Sequence, residues 1–176
     1  AAYTAVDRAE SEAALAHTIN ADAPCVMAAA CKEIDAVFMH YSTDYVFDGT
    51  AISPYVEGAL TNPLGIYGQS KLAGEEAIAT VTDRYVILRT AWVYSLVGQN
   101  FLKTMLRLAN NANEIRVVSD QIGSPTYAGD LAQATWSIID SLLENNASKF
   151  GIYHATNSGV ASWYRFAGEI FDLVGL

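Results

Sequence analysis

Apolar positions recur at helical spacing between residues 10 and 33, at Ala14, Leu15, Ile19, Val26, Met27 and Ala30, with Ile34 just beyond. Asp22 and Pro24 are expected to break this run near its middle, and Pro24 suits the first turn of a second helix. The period then changes. Ala36-Val37-Phe38-Met39-His40-Tyr41 is a short unbroken apolar run, as found in a strand buried on both faces of a parallel sheet. Residues 48–66 hold Gly49, Pro54, Gly58, Pro63 and Gly65, too many breakers for a helix. Helical patterning returns from Tyr67 to about Thr82, and Tyr85–Arg89 reads as a second buried strand. Asn100 is placed to cap a helix reaching about Leu108. Glu114–Val118 predicts a third strand, Asp120–Ala128 a Gly/Pro loop, and residues from about Gly129 to Leu143 a helix. Gly151–Ala155 predicts a fourth strand. Ser162 then caps a last helix with Phe166, Ile170 and Phe171 on its apolar side.

Strands alternating with helices predict an α/β fold with a mostly parallel sheet. A chain of 176 residues, 52% hydrophobic, is long enough to bury one substantial core. Its formal net charge is −9, and its lysines and arginines are scattered, so no basic patch forms from sequence neighbours. That argues against a nucleic-acid partner. Cys25 and Cys31 have neither CxxC nor zinc-pair spacing and are expected to be buried small apolar residues. His17, His40 and His154 lie far apart, so no metal is expected. No stretch approaches the ~18 apolar residues of a membrane span, no signal peptide is visible, and a cytoplasmic setting is the expectation.

The chemistry gathers between His40 and Lys71. In open parallel sheets, ligands bind beyond the carboxyl ends of the strands. Thr43 is expected just past such an end, and Tyr67 and Lys71, at i and i+4, share one helix face. If that face meets the strand end, a hydroxyl, a phenol and an ammonium converge. An ammonium nearby favours phenolate and should lower the phenol's pKa, making it a better proton donor to a carbonyl oxygen. The hydroxyl can polarise the same oxygen, and the lysine can also donate to ribose hydroxyls. The spacing alone is weak, because about 0.2 Tyr-x-x-x-Lys pairs are expected by chance at this composition. An amphipathic helix with a solvated lysine is the bland alternative.

The surrounding residues narrow the choice. Tyr41-Ser42-Thr43-Asp44-Tyr45-Val46-Phe47-Asp48-Gly49 and Tyr67-Gly68-Gln69-Ser70-Lys71-Leu72-Ala73-Gly74-Glu75 resemble signatures of the extended short-chain dehydrogenase/reductase family. More narrowly, the chain resembles the dTDP-4-dehydrorhamnose reductases through residues 5–10, 89–94, 120–126 and 162–167. The resemblance implies a partial Rossmann-like parallel sheet flanked by helices, with part of a smaller substrate-binding lobe. It places the portion of the NAD(P)-binding domain with the catalytic residues at 1–110, and mixed substrate-lobe and returning Rossmann elements at 111–176. The implied activity is reduction of the 4-keto group of a nucleotide-linked sugar by NADPH or NADH, in dTDP-L-rhamnose and cell-surface polysaccharide biosynthesis. Tyr67, Lys71 and Thr43 carry the implied catalysis, with Tyr67 as proton donor. Ala2, Tyr3, Thr4 and Tyr41, with Tyr67 and Lys71, match the cofactor side. Thr43, Asp44 and Trp92 match the substrate side. Asp44 also reads as a turn or cap residue, and Trp92 as a core aromatic beside a strand end. A homodimer of a full-length protein stays open.

Two alternatives stand beside this reading. One is an epimerase or dehydratase of the same superfamily; a dehydratase is expected to carry an acidic pair beside Thr43, where this chain has Asp44 followed by Tyr45. The other is a non-catalytic regulatory subunit like that of methionine adenosyltransferase, which shares the fold. The family's N-terminal Gly-rich turn, whose backbone approaches the cofactor pyrophosphate, has no match in these residues. The chain opens on Ala-Ala-Tyr-Thr and closes directly after a helix, so it is expected to be a fragment. Isothermal titration of NADPH into this 176-residue chain is therefore expected to show no micromolar binding; a micromolar isotherm would overturn that expectation.

Overall fold

The computed structural model describes residues 2–111, 114–144 and 150–175. The chain forms two compact units, Ala1–Thr90 with Asn145–His154, and Ala91–Glu144 with Ala155–Leu176. The first segment of the first unit ends at Thr90, where β2 ends.

The first unit opens with short helices α1 (Val6–Ala9) and α2 (Ala13–His17). The interruption expected at Asp22 and Pro24 does not occur. A π turn over Thr18–Asp22 carries the helical path into α3 (Ala23–Glu33), with Pro24 in its first turn. One wide turn accommodates the proline where its missing N–H costs no helical bond. Strand β1 spans Phe38–Thr43, two residues later than expected at each end. Asp35 adopts a left-handed φ of 53°, and the Ala36 N–H bonds back to the Cys31 carbonyl, so the end of α3 takes these residues. Thr43 is consequently the last residue of the strand itself.

Helix α4 (Ile66–Val81) connects β1 to the parallel strand β2 (Tyr85–Thr90), and β6 (Gly151–His154) pairs in parallel on the other side of β2. Ala28, Phe38, Ile78 and Ile87 form the core between α3, α4 and the sheet. Cys31 packs against this cluster, but both cysteines are half-buried, not fully buried as expected. The loop after β1 is organised by Asp48, which accepts hydrogen bonds from Thr50 N–H, the Thr50 and Tyr55 hydroxyls and the Asn62 amide. These four donors hold its carboxyl below the usual range.

In the second unit, short parallel strands β3 (Val93–Tyr94) and β5 (Thr126–Tyr127) pair, and β4 (Ile122–Gly123) pairs antiparallel with β7 (Ala161–Ser162). Its core lies between α5 (Phe101–Ala109) and α7 (Trp163–Val174), at Met105, Ala167 and Ile170. Asn100 and Ser162 cap these helices through side-chain oxygens that accept from Lys103 and Arg165 N–H. Helix α6 spans Ala128–Leu143. The strand expected at 114–118 is absent. Its alternation is real, with Ile115 and Val117 packed on the α5–α7 core and Glu114 and Arg116 exposed, but among the described residues no strand pairs with it. Alternation records a half-buried extended segment and does not require a ladder. No described helix is long and apolar enough to cross a membrane.

An ion pair fastens α4 to β2. Arg89 donates from Nη2 to Glu75 Oε2 at 2.6 Å and from Nε to Oε1 at 3.0 Å. The two side chains are 5% and 2% exposed. Arg89 also donates to the Glu57 carbonyl and lies over the Phe47 ring, which draws in the loop after β1. Glu75→Gln would leave the guanidinium buried against a neutral partner. It is expected to cost about 3–5 kcal/mol of unfolding free energy, read as a lower urea midpoint at unchanged slope.

Candidate functional site

The inner face of α4 carries Tyr67, Lys71, Glu75 and Ile78 at helical spacing, toward β1 and β2. Beyond β1 the chain tightens into a 3₁₀ turn, Asp44–Val46, capped by the Thr43 hydroxyl, which accepts from Tyr45 N–H at 3.2 Å. Gly68 lets this turn lie against α4: a Cβ there would come within 2.2 Å of the Tyr45 carbonyl oxygen. That contact brings the strand end and the start of α4 together.

Thr43, Asp44 and Tyr67 meet at this junction. Thr43 Oγ1 lies 3.1 Å from Asp44 Oδ1 as donor and shares a hydrogen bond with the Tyr67 phenol. Tyr45 packs edge-on to Tyr67, with centroids 5.5 Å apart. Burial raises the Tyr67 pKa, the Thr43 hydroxyl opposes this, and the Asp44 charge adds to the rise. Burial likewise raises the Asp44 carboxyl, against its hydrogen bonds from Thr43 and the backbone. The expectation that Lys71 lowers the Tyr67 pKa is therefore corrected: desolvation governs the phenol and pushes it up.

Lys71 is engaged elsewhere. Its ammonium donates to the Tyr41 carbonyl at 2.6 Å and lies 3.0 Å from His40 Nε2. It is 2% exposed, and burial lowers its pKa to about 8, with the Glu75 charge opposing. The solvated-lysine alternative is excluded. His40 is held down to about 3, first by burial and then by the Lys71 charge. His40 was missed as a site residue because it reads as one apolar-run position; only the strand-to-helix packing pairs it with residue 71.

The other expected residues are placed less uniformly. Tyr3 is buried, with its main-chain N–H and C=O both bonded to the Asn20 side chain at 2.9 and 3.0 Å. Asn20 in turn donates to Ser70 Oγ on α4 at 3.0 Å. Tyr67 packs against the cluster of Tyr3, Ala9 and Ala16. Asn20 is thus a second residue that sequence reasoning missed. It sits within the π turn, where helical periodicity carries no information about a side chain that bonds another segment's backbone. Ala2 and Thr4 are exposed, and Tyr41 contributes its carbonyl to Lys71. Trp92 belongs to the second unit. It adopts φ 50° and stacks on Trp163 at 3.6 Å, and Gly123 lies so close that a Cβ would come within 2.6 Å of the indole. Among the described residues, no three His, Cys, Asp or Glu side chains group as metal ligands would.

The family described as RmlD substrate binding domain matches residues 1–176. The chain belongs to this family. Within the RmlD family it is similar to a dTDP-4-dehydrorhamnose reductase of Burkholderia thailandensis, 48% identical over 173 residues, covering 97% of this chain and 58% of the relative. Its fold matches the crystal structure of a dTDP-4-dehydrorhamnose reductase of Clostridium acetobutylicum with a TM-score of 0.93 at 44% identity, over 99% of this chain and 60% of that one. A dTDP-4-dehydrorhamnose reductase of Bacillus anthracis, crystallised in complex with NADP, matches with a TM-score of 0.89 at 42% identity, over 99% and 60% of the two chains. The chain thus spans somewhat under two thirds of the length of these RmlD-family relatives.

The lowered Lys71 pKa carries a stability consequence. Unfolded, the lysine titrates near 10.5; folded, near 8. Between these values the unfolded chain binds the extra proton, so this group makes stability rise with pH. Lys71→Met is expected to remove that component. The difference in urea midpoint between wild type and variant should change between about pH 8 and pH 10, with wild type gaining.

Proposed function

We propose that this chain is the acid–base portion of an NAD(P)H-dependent reductase that converts the 4-keto group of dTDP-4-dehydro-L-rhamnose to the alcohol, giving dTDP-L-rhamnose. The observation that carries the reading is the Tyr67 phenol hydrogen-bonded to Thr43 one helical turn from the buried Lys71 ammonium. The 44–48% identity to named reductases supports it, as does the NADP complex of the Bacillus anthracis relative. A cytoplasmic setting and a homodimer of a protein of full family length belong to the same proposal.

The residues present fit the ribose side of a dinucleotide. A lysine ammonium has three donors, and two are taken by His40 and Tyr41, so one remains for a hydroxyl acceptor. A reduced nicotinamide, when bound, supplies hydride to the carbonyl carbon. Tyr67 delivers the proton to the carbonyl oxygen, and the Thr43 hydroxyl turns its one proton from Asp44 to donate to the same oxygen as negative charge develops on it. Tyr67 then recovers its proton from solvent. A tyrosine phenol is protonated at neutral pH, the state a proton donor needs, and burial shifts Tyr67 further in that direction. Asp44 lies beside Thr43 without an acidic neighbour, and Tyr45 follows it, which favours simple reduction over elimination. Asp44 and Trp92 are assigned to the sugar side, and Ala2, Tyr3 and Thr4 to the cofactor side.

The test is a chimera in which this chain replaces the matching 173 residues of the Burkholderia thailandensis reductase. It is expected to consume NADPH stoichiometrically with the keto sugar. Tyr67→Phe should lower kcat by about 10²–10⁴-fold while substrate binding, followed by calorimetry, survives. An active Tyr67→Phe chimera would sink the assignment.

A further inference from the structure

Among the described residues, the buried ammonium of Lys71 has two hydrogen-bond partners, both from β1: the His40 ring and the Tyr41 carbonyl, supplied by consecutive residues. We propose that His40 is the positioning residue for Lys71. Its neutral ring, protonated on Nδ1, accepts from the ammonium through Nε2 and fixes the direction of the remaining N–H. The inference rests on the reading of Lys71 as a ribose ligand only for its functional value, since the contact itself lies within this chain.

The argument begins with donor chemistry. An ammonium has three donors and no acceptor. At 3.0 Å from it, His40 Nε2 must present its lone pair, so the ring proton resides on Nδ1. The ring is itself held. His40 is 9% exposed and stacks on Phe38 with 6.1 Å between centroids and 19° between planes. Its backbone pairs in register with Ile87 in the middle of the β1–β2 ladder. A paired strand therefore offers two acceptors in a fixed fork to a side chain that is otherwise flexible.

The charges around the fork agree with this arrangement. On α4, Glu75 lies one turn from Lys71 and favours the ammonium; on β2, Arg89 is bound to Glu75. A protonated His40 would place a second cation against the first, and burial together with the Lys71 charge holds the ring well below its usual range. A histidine that merely fills the core would take either tautomer and leave the lysine's titration untouched.

Histidine-selective ¹⁵N labelling of the wild-type protein, with long-range proton–nitrogen NMR near neutral pH, tests the tautomer. A protonated Nδ1 and a bare Nε2 on His40 are expected. A proton on Nε2, or an imidazolium, would overturn the proposal, and this measurement needs no variant to fold. The second measurement follows the Lys71 ¹³Cε resonance through its titration. His40→Leu is expected to move that titration below its wild-type position of about 8, whereas His40→Gln, whose amide oxygen can accept, should hold it near wild type. Equal titrations in all three proteins would refute the positioning role. Neither measurement uses cofactor or substrate, so failure of the reductase reading leaves them standing. Conversely, a chimera that needs Tyr67 while His40 fails both tests would refute only the inference. In the same chimera His40→Leu is expected to raise KM for NADPH several-fold and His40→Gln to recover it; an unchanged KM in both variants would also count against the role.

Discussion

Two opposite charges buried one turn apart on the inner face of α4 constrain the first unit more than any other feature. Lys71 and Glu75 are each 2% exposed, and an unpaired ion at that depth costs several kcal/mol. Each finds its partner on a different strand: Glu75 meets Arg89 on β2, and Lys71 meets His40 and the Tyr41 carbonyl on β1. Sliding α4 by one turn would leave both charges without these partners. The apolar pair Ile78–Ile87 fills the space beyond them but would tolerate such a shift better. The polar layer therefore fixes where the helix sits, and the apolar layer supplies much of the reason it sits there at all.

The geometry at the strand end follows from that seating. With α4 held, its first turn lies over the end of β1, and Gly68 admits the 3₁₀ turn of Asp44–Val46. Tyr67 then reaches the Thr43 hydroxyl. One turn along from Tyr67, Asn20 ties Tyr3 to Ser70 through both main-chain groups of Tyr3. Segments distant in sequence are thereby set around one helix start, by hydrogen bonds in buried surroundings where leaving them unmade is expensive. The second unit uses different means. Trp92 and Trp163 stack beside Phe101, and a glycine at 123 clears space for the indole.

The longer elements with strong local patterning were legible in the chain, while the two-residue strands β3, β4, β5 and β7 were not. Patterning located α4, β2, β6, α6 and α7, and cap chemistry at Asn100 and Ser162 fixed two helix starts, because these signals are local. The candidate trio of Thr43, Tyr67 and Lys71 was legible because strand end and helix face follow from the same periodicities. Tertiary structure decided what depends on contacts between distant segments. It turned the Asp22–Pro24 break into a π turn and left residues 114–118 extended without a ladder, because pairing requires a neighbour that no local pattern announces. It also reversed the expected influence on Tyr67: proximity along a helix predicted control by Lys71, but burial raises the phenol while His40 and the Tyr41 carbonyl claim the ammonium. Spacing reveals which side chains share a face. Only the fold decides which acceptors reach that face and how much water is left there, and those two quantities set the electrostatics of the site.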